Sequence, residues 1–319
     1  KFHFDFKTVQ ESQKIILFER EVPTVKVNKI RMRETVISYA FLAPVLFFFV
    51  IFVLAPMIMG FITSFFNYSM TKFEFVGLDN YIRMFKDPVF MKSLINTVIL
   101  VIGSVPIVVL FSLFVASQTY HQNAIARSFY RFVFFLPVVT GSVAVTVVWK
   151  WIYDPLSGIL NFVLKSSHII SQNISWLGDK NWALLAIMII LLTTSVGQPI
   201  ILYIAAMGNI DNSLVEAARV DGATEFQVFW KIKWPSLLPT TLYIAIITTI
   251  NSFQCFALIQ LLTSGGPNYS TSTLMYYLYE KAFQLTEYGY ANTIGVFLAV
   301  MIAIVSFAQF KILGNDVEY

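Results

Sequence analysis

Charged side chains are scarce. Lys, Arg, Asp and Glu make up 13% of the 319 residues, about half the share of a soluble globular domain, which excludes an ordinary water-soluble fold. Cysteine is nearly absent: Cys255 stands alone, and the histidines number three (His3, His121, His168). No disulfide framework and no Cys/His metal cluster can be assembled from this chain. No glycine is followed by lysine, so the phosphate-cradling G-x-x-x-x-G-K-[ST] loop is missing. The net charge of +4 is too small, beside so much apolar surface, to argue nucleic-acid binding. What fills the chain instead is hydrophobic residue, at 57%.

A helix needs about 20 apolar residues to cross the hydrocarbon core. Six runs of that length stand out: Val36 to Ser64, Leu94 to Ser117, Tyr130 to Tyr153, Trp182 to Met207, Leu238 to Leu262 and Ala291 to Leu313. The first is too long and too far along the chain for a cleaved signal peptide and reads as a retained span. No Asp or Glu lies inside these runs. Pro44, Pro56, Pro106, Pro137 and Pro199 fall in or near them and predict kinks rather than breaks, because neighbouring helices can satisfy the carbonyls they release. Trp149, Trp151, Tyr153 and Trp182 read as interfacial belt residues. An even number of spans puts both termini on one side. With the amino terminus inside, 14 of the 22 Lys and Arg residues fall on the inner side, 8 of them in the tail. The expected organisation is a cytoplasmic tail over 1–35, a six-helix domain over 36–313 and a cytoplasmic end over 314–319. The tail's short apolar stretch, Ile15 to Phe18, suits either a helix lying on the membrane surface or a solvated segment.

Between the fourth and fifth runs, the loop 208–237 is far longer than a turn needs to be. Its residues suit two short helices, the first capped by Asp211 or Asn212 and ended by Gly222 in a left-handed conformation. On physics alone, an amphipathic connector and a docking element fit this loop equally. Glu216-Ala217-Ala218, three residues, Gly222, nine residues, Ile232 and then Pro235 resemble the EAA loop of inner-membrane permeases from ATP-binding-cassette importers, with Trp234 in place of the usual leucine. In that family the loop is cytoplasmic and its helix sits in a cleft of the ATPase subunit. The resemblance makes Glu216, Ala217, Ala218, Asp221, Gly222, Ala223, Ile232 and Pro235 the expected ATPase-coupling residues.

The likeness runs from about Tyr39 to the carboxyl end and is similar in detail to the maltose-permease-like carbohydrate branch. It is carried by Val76-Gly77-Leu78-Asp79-Asn80-Tyr81, Phe134-Phe135-Leu136-Pro137, Trp149-Lys150-Trp151-Ile152-Tyr153, Trp176-Leu177 and Leu261-Leu262-Thr263-Ser264-Gly265-Gly266-Pro267. It implies an all-α membrane protein with the six transmembrane helices of the type I importer permease fold, in a bacterial or archaeal plasma membrane with both termini cytoplasmic. It implies a sugar import subunit that is not itself an enzyme. The partners it implies are a second homologous permease, a dimer of ATPase subunits that bind ATP and Mg, and an extracytoplasmic solute-binding protein, with no cofactor in this chain.

Polar residues inside a span are costly in lipid and mark either a watery path or a helix contact. Thr248, Asn251, Ser252 and Cys255 follow i, i+3, i+4, i+7 spacing and would share one stripe of the fifth span. Gly197, Gln198 and Ile200, around Pro199 in the fourth, offer a facing wall. Resemblance to the carbohydrate branch favours the path for both sets; the alternatives are interhelical hydrogen bonds for the stripe and tight packing for Gly197. Asn96 and Thr97 suit a capping or interface role equally well; Gly265-Gly266-Pro267 and Asp79-Asn80 suit simple turns, while the resemblance sets them near the docked solute-binding protein. Two other classes compete. A secondary carrier would want buried ionisable groups for ion coupling, which the spans lack; a membrane scaffold would use the tail and loop only as contact surfaces. Within the family, a permease for a non-sugar solute is the other alternative.

Overall fold

The computed structural model describes residues 24–314, so the Ile15–Phe18 stretch, most of the tail and residues 315–319 lie outside the described residues. The chain divides into two compact units, at Met59/Gly60. The first holds α1 (Thr24–Phe49), a π-helical turn at Val50–Leu54 and the start of α2 (Ala55–Thr63). Residues Glu34–Thr63 are helical, long and apolar enough to span a bilayer.

The second unit opens with a short hairpin, β1 (Phe66–Tyr68) paired antiparallel with β2 (Phe73–Phe75), the one departure from an all-α chain among the described residues. Then come α3 (Asp79–Lys86) and α4 (Pro88–Tyr120). Helix α4 has 33 residues, about 50 Å of helix at ~1.5 Å per residue. Its start is dictated locally: Pro88 supplies the preset φ of a first helical position, and the Asp87 carboxylate accepts from the backbone N–H groups of Val89 and Phe90. Helices α5 (Ala124–Val139), α6 (Ser142–Ile152), α7 (Ile159–Ser166), α8 (Ala183–Ser195) and α9 (Gly197–Gly208) follow. After the loop helices α10 (Asn212–Val220) and α11 (Glu225–Val228) come α12 (Trp234–Phe253), α13 (Ala257–Leu262), α14 (Leu274–Tyr279) and α15 (Tyr288–Leu313).

Two of the expected spans are bent or broken over two or more non-helical residues, and the fourth is divided only at Val196, between α8 and α9. The third divides between α5 and α6, whose axes differ by 100°. Here Pro137 removes an amide from the last turn of α5, the hydroxyl of Thr140 bonds back to the Leu136 carbonyl at 2.8 Å, and Thr140 and Gly141 are extended. This is a break, where a kink is expected from sequence. The fifth leaves helical geometry at Gln254–Phe256, so Leu238 to Leu262 is not one helix. Among the described residues, five helices are long and apolar enough to cross a membrane, six if the bent pair counts as one.

Helix α4 is the central post, packing on α9 and α12, and α12 packs in turn on α15. One apolar cluster joins Val108, Ile200, Tyr203, Ile204 and Ile244; a second joins Met84, Phe90, Phe253, Tyr290 and Ile294; a third joins Tyr153, Trp176, Ile187 and Ile259. Lipid is as apolar as these side chains, so close packing and buried hydrogen bonds must hold the helices together. Ser104 bonds Ser252 at 2.8 Å between α4 and α12, and Tyr203 bonds Thr241 at 3.0 Å between α9 and α12.

Candidate functional site: a polar cavity and an exposed docking loop

The fourth span is where α8 meets α9. Pro199, in the first turn of α9, has no N–H to give the carbonyl of Ser195, so the ladder opens there. Ser195 and Pro199 line a cavity of about 160 Å³ together with Thr194, Gln198, Leu202, Tyr243, Thr248 and Asn251. A second cavity, of about 260 Å³, shares Val138 and Thr194 with the first and is bounded by Thr140, Ser142, Gln254, Cys255 and Phe256. The breaks at Thr140–Gly141 and Gln254–Phe256 both border this second space, so the interruptions of the third and fifth spans are what admit it.

The expected path residues separate into two groups. Gln198 and Asn251 are exposed to the first cavity, and no hydrogen bond to another described residue occupies either amide. Thr248 lines the same cavity, though it is largely buried. Ser252 is buried, with its hydroxyl engaged by Ser104. Cys255 stands beyond the end of α12, so it does not continue the helical stripe, and its buried side chain borders the second cavity. Ile200 belongs to the apolar cluster with Tyr203. Gly197 is a packing position: a Cβ there would lie 2.4 Å from the Phe134 carbonyl oxygen of α5. The open face of α12 therefore runs through Tyr243, Ile247 and Asn251 and then Gln254 in the turn beyond, with the largely buried Thr248 and Cys255 at its edge and Ser252 turned away from both cavities. Gln254 is legible in the sequence as a neighbour of the stripe, but Tyr243 carries no sequence signal separating it from a belt tyrosine.

The loop has the two-helix form that its sequence dictates. Asp211 caps α10 by accepting from the Ser213 backbone N–H at 2.9 Å, and this bond holds its carboxyl below the usual range. Gly222 has φ +82°, the left-handed conformation, and a Cβ there would meet nothing within 4 Å. Its requirement is thus conformational rather than steric. Thr224 opens α11 with a reciprocal capping box to Gln227. Glu216, Ala217, Asp221 and Pro235 are exposed, while Ala218, Ala223 and Ile232 are half-buried. Ala218, Asp221, Gly222, Ala223 and Ile232 line a concavity with Gln227, Val228 and Lys231. Around it Leu214, Val220, Phe226 and Trp230 present apolar surface, Val220 at 87% exposure. Arg219 and Glu225 pair across the turn at 2.8 Å, both exposed.

The weak sequence candidates acquire structural jobs. Asn96 donates to the carbonyls of Tyr269 and Ser272, and the Thr97 hydroxyl accepts from the Leu274 N–H, fastening the segment after α13 onto α4. Asn80 donates to the carbonyls of Ser64 and Phe66. Gly265 has φ +78°, within a turn closed by the Tyr276 hydroxyl on the Ser264 carbonyl. Sequence reasoning missed one cluster outright. Asp87 Oδ2 accepts from the hydroxyls of Tyr277 and Tyr290, at 2.5 and 2.7 Å. Burial acts to raise the Asp87 pKa, but these phenols and the Val89 and Phe90 amides outweigh it and hold the group below its ordinary value. The Asp-Pro pair that starts α4 is its only local signal.

The family model described as "Binding-protein-dependent transport system inner membrane component" matches residues 85–317. The lactose transport system permease protein LacF of Rhizobium radiobacter is 33% identical, over 86% of this chain and 92% of its own length. The multiple sugar-binding transport system permease protein MsmF of Streptococcus mutans is 32% identical, over 86% and 94%. Among solved structures, a chain of a bacterial alginate ABC transporter, in complex with an alginate pentasaccharide-bound periplasmic protein, superposes with a TM-score of 0.74 at 25% identity, over 88% of this chain and 94% of that one. The helical bundle, its spans and the sequence relationship agree, and this chain belongs to the family of binding-protein-dependent transport system inner membrane components.

Proposed function

We propose that the chain is one transmembrane subunit of an ATP-driven, binding-protein-dependent importer of sugars, forming half of a path completed by a second homologous permease. The observation that carries this reading is the pairing of an exposed, rigidly capped loop with a polar cavity walled by broken helices. The relatives named for lactose and for multiple sugars support the solute class. The cavity is smaller than the roughly 300–1,000 Å³ of a typical small-molecule site, as suits a wall that a second subunit must complete.

In this reading, both termini and the 208–237 loop are cytoplasmic. Two ATPase subunits bind ATP and Mg and perform the hydrolysis. Their closure draws the loops of the two permeases together and opens the path outward, where a docked binding protein releases the sugar. A short helix with small residues at Ala217 and Ala218 seats closely, and the capped turn transmits rotation that a flexible loop would absorb. Gln198, Thr248 and Asn251 offer donors and acceptors to sugar hydroxyls. A secondary carrier is disfavoured because no Asp or Glu lies within the six apolar runs; a non-sugar permease is disfavoured by the carbohydrate-type passages.

The test is uptake into proteoliposomes holding the full complex. Uptake of a labelled disaccharide should require ATP and the binding protein and should survive collapse of the proton and sodium gradients. Uptake driven by an ion gradient without ATP would overturn the proposal.

A further inference from the structure

Tyr39, Tyr130 and Tyr243 are the exposed tyrosines of the apolar spans among the described residues, and of the three only Tyr243 borders either polar cavity. Tyr203 and Tyr290 are buried with their hydroxyls bonded to Thr241 and Asp87. Tyr243, on α12, is 49% exposed and borders the first cavity beside Gln198, Leu202 and Asn251. Its hydroxyl has no hydrogen-bond partner among the described residues. It lies eight residues before Asn251, a little over two turns, about 80° round the helix and about 12 Å along the axis, and both side chains line the same cavity. A phenol without a partner inside an apolar span is costly unless water or a ligand meets it. A tyrosine ring joins a broad apolar face to a polar handle, and a pyranose has a matching pair of surfaces: C–H bonds on one face and hydroxyls at the rim. Gln198 adds a donor and an acceptor on the facing wall.

We infer that Tyr243 is a specificity-determining residue of the path, its ring stacking on a sugar while its hydroxyl bonds a sugar hydroxyl, two helical turns from Asn251 along α12. The placement in a water-filled path stands on the cavity; the sugar chemistry rests on the function proposed above. The simpler rival is a belt tyrosine facing lipid. Because Cys255 is the only cysteine, a Cys255→Ala chain gives a clean background for testing the placement.

In the assembled complex, Tyr243→Cys in that background should react with a charged, membrane-impermeant methanethiosulfonate at least tenfold faster than Leu110→Cys, an exposed position of α4 outside either cavity. Equal inertness of the two positions would overturn the placement. Tyr243→Phe, with Tyr243→Trp beside it, should then be assayed for ATP-dependent uptake of labelled maltose, lactose and trehalose. Loss of one hydrogen bond should raise the half-saturating concentration about fivefold for the sugar that uses it, changing the ratio between sugars more than the maximal rate. Equal values for wild type and Tyr243→Phe on every transported sugar would overturn the specificity role. Failure of the wild type to take up any of the three, with the Tyr243→Cys chain still labelled, would count against the sugar reading while leaving the path intact.

Discussion

The two ends of α4 are built on opposite plans. At its start, Asp87, Ser93, Asn96 and Thr97 reach across to Tyr277, Tyr290, Ser272 and Leu274, so the polar groups of four elements satisfy one another. At its far end, where His121 lies near enough to Glu225 to interact electrostatically, the 208–237 loop keeps its hydrogen bonds local: Asp211 to Ser213, Thr224 to Gln227, Arg219 to Glu225. Its apolar side chains Val220 and Phe226 are left exposed. One end holds its shape with its own side chains. The other is locally stiff and leaves apolar side chains exposed, as the coupling role proposed above requires.

The contrast breaks most sharply at Gly222. Gly222→Val must hold a β-branched residue at positive φ, a strain of about 1–3 kcal/mol concentrated at the end of α10. Uptake should fall at least tenfold while membrane insertion, read by the yield of purified complex, is retained. Gly222→Asn, which tolerates this conformation, should recover most of the uptake. Normal transport by the valine variant would sink the coupling role.

Next in size is Asp87. Asp87→Ala strands two phenols and two helix-start amides, and should lower unfolding stability by about 3 kcal/mol in detergent; an unchanged midpoint would show that this end is held some other way. The sign with pH follows from the lowered carboxyl: its stabilisation is full above the unfolded value and is lost as pH falls through the lower folded value. The gap between wild type and Asp87→Asn should therefore narrow below about pH 4 and stay flat above it.

A smaller pair of effects separates the open face of α12 from its buried one. Ser252→Ala should cost about 1 kcal/mol of stability through the lost bond to Ser104 and leave sugar preference alone. Asn251→Leu should do the reverse, impairing uptake with the assembly intact. The smallest effect belongs to Arg219→Gln: its pair with Glu225 is exposed on both sides, so the unfolding midpoint should not move measurably.

Hydropathy locates the spans because lipid crossing sets a length and composition that any chain must meet. The second, fourth and sixth end within a few residues of the helices Pro88–Tyr120, Ala183–Gly208 and Tyr288–Leu313. It cannot see the bend at Thr140–Gly141, since the residues on either side are equally apolar. The stripe 248, 251, 252, 255 presumes an uninterrupted helix, and the turn at Gln254 removes its last member. Which side of α12 opens is fixed by neighbours distant in sequence, Ser104 on one side and Gln198 on the other. The loop is legible for the opposite reason. Asp211, Gly222 and Thr224 act through local backbone chemistry, which needs no knowledge of the rest of the fold.

The most direct test of the coupling joint is position and contact. Ala217→Cys, in a Cys255→Ala chain within the assembled complex, should react with an impermeant thiol reagent only from the cytoplasmic side. A short bifunctional reagent should cross-link it to the ATP-hydrolysing subunit. Labelling from the opposite side alone, or a purified and active complex in which no such subunit is captured, would contradict the account.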